Sequence, residues 1–202
     1  MTQATAKRRV GIMGGTFDPI HYGHLVCAEE AFFQFDLSEI VFIPAGSPWQ
    51  KKAVTGAEER FEMTVLATAG NPHFSVSRLE IDRPGPTYTA DTLRLLNEQY
   101  GEAAELYFIS GADAVLRILT WNDPKTVLGA ARFIAATRPH FDLSSLPGTG
   151  LQDRVSFMEI PSLGISSTDI RNRVRDGRPF RYLVPPAVAE FIAERGLYRQ
   201  AG

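Results

Sequence analysis

An α/β architecture built on a doubly wound, mostly parallel sheet follows from three features of the chain. Short β-rich runs alternate with helix-period segments over most of its length. The first run ends in Gly14-Gly15 and feeds directly into a helical pattern, the kind of strand-to-helix junction where such sheets bind ligands. No linker, repeat or composition break divides the 202 residues, so 1–202 is read as one domain with a polar leader at 1–8 and a helical part at 166–202.

Residues 9–13 make the first strand, and from Tyr22 the apolar positions Leu25, Ala28, Phe32 and Phe35 recur at steps of three and four, the period of a helix. Glu39 to Pro44 (EIVFIP) is a second β-rich run, stopped by AGSP and followed by a helix-period segment containing Phe61, Val65 and Ala69. Phe74 to Ile81 reads as a third strand and Thr89 to Tyr100 as a helix with Leu93, Leu96 and Tyr100 on one face. Glu105 to Ser110 (ELYFIS) reads as a buried strand before Gly-Ala-Asp and a further helix. Arg132 to Thr137 and Val155 to Ile160 complete the strands, separated by the Ser/Pro/Gly-rich stretch Phe141 to Gly150. In the tail, one helix opens at Ser166 with Asp169 at capping-box spacing and stops at Gly177 and Pro179; the next runs from Pro185-Pro186 to Gly196.

With 44% hydrophobic and 22% charged residues, the chain can build a core without disulfides or structural metals. It has a single cysteine, Cys27, and its N-terminal residues lack the apolar run of a secretory signal, so it is read as cytoplasmic. No apolar stretch approaches the ~20 residues that cross a bilayer, which excludes a helical span. Its 21 Lys+Arg against 23 Asp+Glu give a net charge of −2, which argues against a nucleic-acid partner and for a small polyanion held locally. The run Arg171 to Arg181 (RNRVRDGRPFR) lacks the interleaved aromatics of single-strand binders and is read as largely a solvated or tail-docking face.

The densest chemical signal is the segment Gly14 to His24, GGTFDPIHYGH, between the first strand and the first helix. Gly14 and Gly15 allow close backbone approach to a ligand, and the N–H groups and dipole of a helix start favour phosphate. His21 and His24, three apart at the helix mouth, can both face that phosphate, and an imidazolium there would stabilise charge developing in phosphoryl-type transfer. Asp18 either orients a histidine or, the preferred reading, holds the loop together. A second helix start, Ile165-Ser166-Ser167-Thr168-Asp169-Ile170-Arg171, offers hydroxyls and N–H donors to a triphosphate, with Arg171 able to clamp it bidentately. His24-x-x-Cys27 has a metal-like spacing but no second ligand pair, so no protein-bound zinc is expected.

GGTFDPIHYGH resembles the (H/T)-x-G-H signature of the nucleotidyltransferase superfamily, in the form found in bacterial nicotinate-nucleotide adenylyltransferases, and ISSTDIR is similar to that family's ISSTxIR. Ile43 to Lys51 (IPAGSPWQK) looks like the loop that carries the family's phosphate-facing lysine, which maps to Lys51; spacing alone leaves Lys52 open. Gly85 to Thr89 (GPTYT) with Asp91-Thr92-Leu93, and Gly111-Ala112-Asp113 with Trp121, are similar to segments of the nicotinate-specific branch. Arg181 to Pro185 (RYLVP) and the closing Gly196 to Tyr198 extend the resemblance over about residues 10–200.

The resemblance implies transfer of the AMP moiety of ATP to nicotinate mononucleotide, giving deamido-NAD and pyrophosphate, by direct in-line attack. It assigns catalysis to His21, His24, Lys51 and Arg171. For ATP binding it implies Gly14, Gly15, Thr16, Phe17, His24, Gly111, Asp113, Ile165, Ser166, Ser167 and Arg171. For nicotinate mononucleotide it implies Lys51, backbone N–H groups around Thr87 and Tyr88 for the carboxylate, and Trp121 stacked on the pyridine ring. Mg²⁺ is expected to arrive with ATP, held mainly by phosphate oxygens and water. Trp49 is read either as a residue near the ligand or as a staple on its loop. The expected partners are the two nucleotides, without nucleic acid or membrane, and a homo-oligomer is compatible with the sequence.

Four alternatives frame that reading. Nicotinamide mononucleotide differs from nicotinate mononucleotide by one neutral amide in place of a carboxylate. Phosphopantetheine adenylyltransferase shares the HxGH-type loop but not GPTYT or GAD…W. A non-catalytic nucleotide sensor belongs to another class, and intact His21, His24, Lys51 and Arg171 argue against it. A dehydrogenase-like dinucleotide binder is disfavoured because GGTFDPIH lacks G-x-G-x-x-G.

Overall fold

A computed structural model describes residues 7–48, 53–115, 117–137 and 154–199. Six strands, β1 (Arg8–Gly15), β2 (Glu39–Pro44), β3 (Phe74–Val76), β4 (Ala104–Gly111), β5 (Arg132–Thr137) and β6 (Val155–Glu159), form one sheet in the order β3-β2-β1-β4-β5-β6. Every neighbouring pair is parallel. The helices are α1 (Tyr22–Gln34), α2 (Ala57–Thr68), α3 (Thr89–Tyr100), the short α4 (Ala112–Val115), α5 (Pro124–Ala130), α6 (Ser167–Arg175) and α7 (Pro186–Glu194).

Side chains alternate along each strand, and the two cores follow that period. Val10, Ile12, Val41, Ile43, Leu106, Phe108, Phe133 and Ala135 face α3, α4 and α5, while Met13, Ile40, Phe42, Tyr107, Ile109 and Ile134 face α1, α2, α6 and α7. Burial on both faces explains why the strands read as continuous apolar runs.

Chain order runs outward from β1 to β3 and then returns to β4 on the other side of β1, so the switch point lies between β1 and β4. Their ladder stops at the Ile12–Phe108 pair, although β1 continues to Gly15 and β4 to Gly111. The carboxyl ends of the two central strands are therefore not paired with each other, which leaves a crevice between them.

Three expectations require correction. The third strand covers only Phe74–Val76, because the Ser77 hydroxyl accepts from the Leu79 N–H and the Asp82 N–H donates to the Arg78 carbonyl, turning the chain off the sheet edge. On α2, Val65 and Ala69 point to solvent and Phe61 is half-buried; the buried face is Arg60, Met63, Thr64 and Thr68. The two threonines satisfy their hydroxyls on carbonyls one turn back, Arg60 and Thr64, which makes a polar face compatible with burial. At α6, Ser166 accepts from the Asp169 N–H at 3.1 Å as a cap should, but the Asp169 carboxylate turns to Arg173 at 2.7 Å.

Among the described residues, no helix is long and apolar enough to cross a membrane.

Candidate active site

A cavity of about 870 Å³ opens at the switch point. It brings together Gly14, Gly15, Thr16, Phe17, His21 and His24 from the first loop, Gly111 and Asp113 from the end of β4, and Ile165, Ser166, Ser167 and Arg171 from α6 and its approach. Two segments separated by more than half the chain thus face one space, with the N-termini of α1 and α6 both at its wall. Each helix start adds partial positive charge and first-turn N–H groups, so the cavity suits phosphate.

His21 is the N-cap position of α1, and its backbone N–H donates to Nδ1 of His24 at 3.2 Å. The two rings stack with centroids 3.8 Å apart, and Phe17 meets His24 edge-on at 5.1 Å. With Nδ1 accepting, neutral His24 carries its proton on Nε2. His21 is 6% exposed, and burial pushes its pKa from 6.5 down to about 4. An imidazolium at His21 is therefore not the resting state of the ligand-free site; a neutral ring is. Its Nδ1 is buried without a hydrogen-bond partner. Cys27, one turn further along α1, also lines the cavity, and burial pushes its thiol up to about 12, so it stays protonated.

The first loop is held from three sides. Arg171 donates through Nη1 to the Asp18 carbonyl at 2.7 Å and through Nη2 to the Thr168 hydroxyl at 3.3 Å. The Ser167 hydroxyl donates to the Pro19 carbonyl at 2.9 Å, so its proton is spent on the loop; its backbone N–H is what it can offer a phosphate. Ser166 accepts the cap hydrogen bond from Asp169 N–H and so keeps its own hydroxyl proton available to donate. Asp18 is 3% exposed, and its carboxylate accepts from Val54 N, Thr55 N, the Thr55 hydroxyl and the Tyr198 hydroxyl. The loop-holding reading of Asp18 is the one its contacts match.

Arg60, absent from the sequence-derived set, is 1% exposed and donates to the carbonyls of Thr16 (2.8 Å), Gly46 (3.0 Å) and Thr55 (3.4 Å). One buried guanidinium thus ties the loops after β1 and β2 together. Burial lowers its pKa, offset in part by the charges of Asp18 and Glu80. Nothing in the local sequence marked it, since an arginine in a helix is usually a surface residue.

Of the residues expected to bind the mononucleotide, Thr87, Tyr88 and Trp121 do not line this cavity. Thr87 is buried and gives both its N–H (3.1 Å) and its hydroxyl (3.2 Å) to the Ser47 carbonyl, so its N–H is already engaged. Tyr88 is the N-cap of α3. Trp121 is half-buried and edge-on to Phe108 at 5.9 Å, on the α3–α5 side of the sheet. Lys51, with Lys52 and Trp49, lies outside the described residues, as does the stretch 141–150. The acidic residues lining the cavity are Asp18, already saturated with donors, and Asp113, exposed at the start of α4. That donor set fits a cation carried in by phosphate oxygens better than one held in a carboxylate cage.

A parallel sheet with paired helix starts, two histidines and an arginine at its switch point is the arrangement of a nucleotidyltransferase. A model of the Cytidylyltransferase-like family matches residues 12–173. A probable nicotinate-nucleotide adenylyltransferase of Leifsonia xyli is 56% identical over 96% of this chain and 96% of its own length, and one of Moorella thermoacetica is 54% identical over 98% and 95%. The chain belongs to the Cytidylyltransferase-like family and, within it, to the nicotinate-nucleotide adenylyltransferases. The fold is shared with Plasmodium falciparum nicotinic acid mononucleotide adenylyltransferase complexed with NaAD, at a TM-score of 0.79 and 21% identity over 95% of this chain and 97% of that one.

Proposed function

We propose that the chain transfers the adenylyl group of ATP to nicotinate mononucleotide, releasing pyrophosphate and forming the deamido dinucleotide. The observation that carries this reading is the convergence of His21 and His24 with Ser166, Ser167 and Arg171 on one cavity. The reading draws equally on the names of the relatives, which match almost the whole chain.

The chemistry asks little of the protein beyond alignment and charge stabilisation. A phosphate monoester has its second pKa near 6, so the attacking oxygen is already ionised at neutral pH and no general base is needed. Two anions must be brought together in line, and negative charge must be stabilised at the α-phosphate and on departing pyrophosphate. His24 is assigned to the α-phosphate, through the Nε2–H that its backbone-bound Nδ1 enforces. His21 supplies a second donor at the mouth of α1, neutral until a phosphate raises its pKa. Arg171, anchored on the Asp18 carbonyl, and the N–H groups that open α6 are assigned to the β- and γ-phosphates. Gly111 and Asp113 are assigned to the adenosine ribose, whose hydroxyls can donate to the carboxylate. Lys51 is assigned to the phosphates and Trp121 to the pyridine ring; of the Thr87–Tyr88 backbone, Tyr88 is assigned to the carboxylate, since the Thr87 N–H is held by Ser47. Mg²⁺ comes as part of the MgATP substrate, where it neutralises charge on the leaving group.

Incubation with ATP labelled at the α-phosphorus, Mg²⁺ and nicotinate mononucleotide tests the proposal. The label should appear in a dinucleotide of the deamido mass and never on the protein. Hydrolysis to AMP, or label retained on the protein, would overturn direct transfer.

A further inference from the structure

The Gly196 to Tyr198 segment reaches the first loop from the other end of the chain: the Tyr198 hydroxyl donates to Asp18 Oδ1 at 2.7 Å. Tyr198 adopts φ +63, an uncommon conformation for a non-glycine residue, and its hydroxyl also lies 4.0 Å from the Met63 sulfur on α2. Burial and the Asp18 charge raise its pKa, so the phenol keeps its proton and donates.

Asp18 carries a buried carboxylate on the same residue whose main-chain carbonyl holds Arg171. Its carbonyl takes Arg171 Nη1 at 2.7 Å, while its side-chain oxygens take Val54 N at 2.6 Å, Thr55 Oγ1 at 2.7 Å and Tyr198. A carboxylate short of donors on the residue that already holds Arg171 would compete for the arginine, since a bidentate pair is the strongest hydrogen-bonded arrangement open to both. Arg171 would then be turned from the cavity towards the loop. The donors on Asp18 prevent this, and two of them, Tyr198 and Thr55, share Oδ1.

We infer that Tyr198 is a positioning residue for Arg171: its hydroxyl occupies the Asp18 carboxylate and thereby leaves the guanidinium available to a nucleoside triphosphate. The inference rests on the adenylyl-transfer reading, because it takes a triphosphate as the partner of Arg171.

Tyr198→Phe removes one oxygen and tests it. ATP titrated into the protein without the second substrate should bind about three- to tenfold more weakly than to the unaltered chain, the size of one lost hydrogen bond. The KM for ATP should rise with it, and the KM for the mononucleotide should stay within about twofold, a split that general loosening of the fold would not produce. Thr55→Val, which removes the other donor to the same oxygen, should weaken ATP in the same direction. In an Asp18→Asn background, where no charge remains to capture Arg171, adding Tyr198→Phe should change ATP affinity by less than about twofold. Unchanged ATP affinity in folded Tyr198→Phe, equal losses for both substrates, or an undiminished effect in the Asp18→Asn background would each overturn the inference. An unaltered chain that binds no ATP would instead remove the functional reading, and the inference with it, before any variant is made.

Discussion

The imidazoles of His21 and His24 stack at 3.8 Å, and the backbone N–H of His21 fixes Nδ1 of His24 as an acceptor. Stacked rings at that distance disfavour two positive charges, and the fixed acceptor leaves Nε2–H of His24 as the donor for a phosphate oxygen. His24→Ala should therefore lower kcat by about 10²-fold or more, the cost of losing one transition-state donor. Steady-state kinetics beside circular dichroism checks this; near-normal kcat in a folded variant would remove the role.

Burial of His21 makes the fold sensitive to acid. Its folded pKa of about 4 lies below the ordinary 6.5, so between those values the unfolded chain holds the extra proton and the fold loses stability as pH falls. Above 6.5 the residue makes no difference, and the full loss, about 3 kcal/mol, is reached below pH 4. Denaturant unfolding of the protein and of His21→Gln from pH 7 to 4 isolates it: the protein should lose stability relative to the variant as pH drops. Parallel curves would contradict the assignment. ATP should raise the His21 pKa, visible in the imidazole proton shifts.

Arg60 holds three carbonyls from two loops. Arg60→Met leaves all three without that donor in a buried setting and should cost about 3 kcal/mol or more, with a higher KM for ATP because Thr16 is released. Arg60→Lys should recover only part, since a single ammonium cannot reproduce the planar fork. Denaturant unfolding measures both; a loss under about 1 kcal/mol for Arg60→Met would contradict the clamp.

Much of this arrangement was legible in the residues. Buried parallel strands read as apolar runs whatever their neighbours, and the two helix starts at the cavity carry motifs whose spacing is local. What was not legible is long-range. Arg60 sits on a helix face whose polar residues bury themselves by bonding to main-chain carbonyls, so apolar periodicity pointed at Phe61, Val65 and Ala69 instead. Ser167 looked like a phosphate donor because nothing local reveals that its proton goes to Pro19. Tyr198 meets Asp18 from the far end of the chain, a pairing no window of sequence contains.

Two glycines separate close packing from ligand space. A Cβ on Gly46 would lie 2.0 Å from the Glu80 carbonyl oxygen, whereas one on Gly111 would have nothing within 4 Å and would stand in the cavity. Gly46→Ala should cost about 2–3 kcal/mol of stability through backbone displacement. Gly111→Ala should leave stability within about 0.5 kcal/mol and raise the KM for ATP. Unfolding and ATP titration on the pair check it; the reverse pattern would contradict the placement of the cavity.

The choice of acceptor defines the activity, and pyrophosphate release reads that choice. ATP and Mg²⁺ would be offered with nicotinate mononucleotide, nicotinamide mononucleotide and phosphopantetheine separately. Release with the first well above the other two is the expected result. Silence with all three while ATP still binds would contradict catalysis and leave a nucleotide-sensing module in its place.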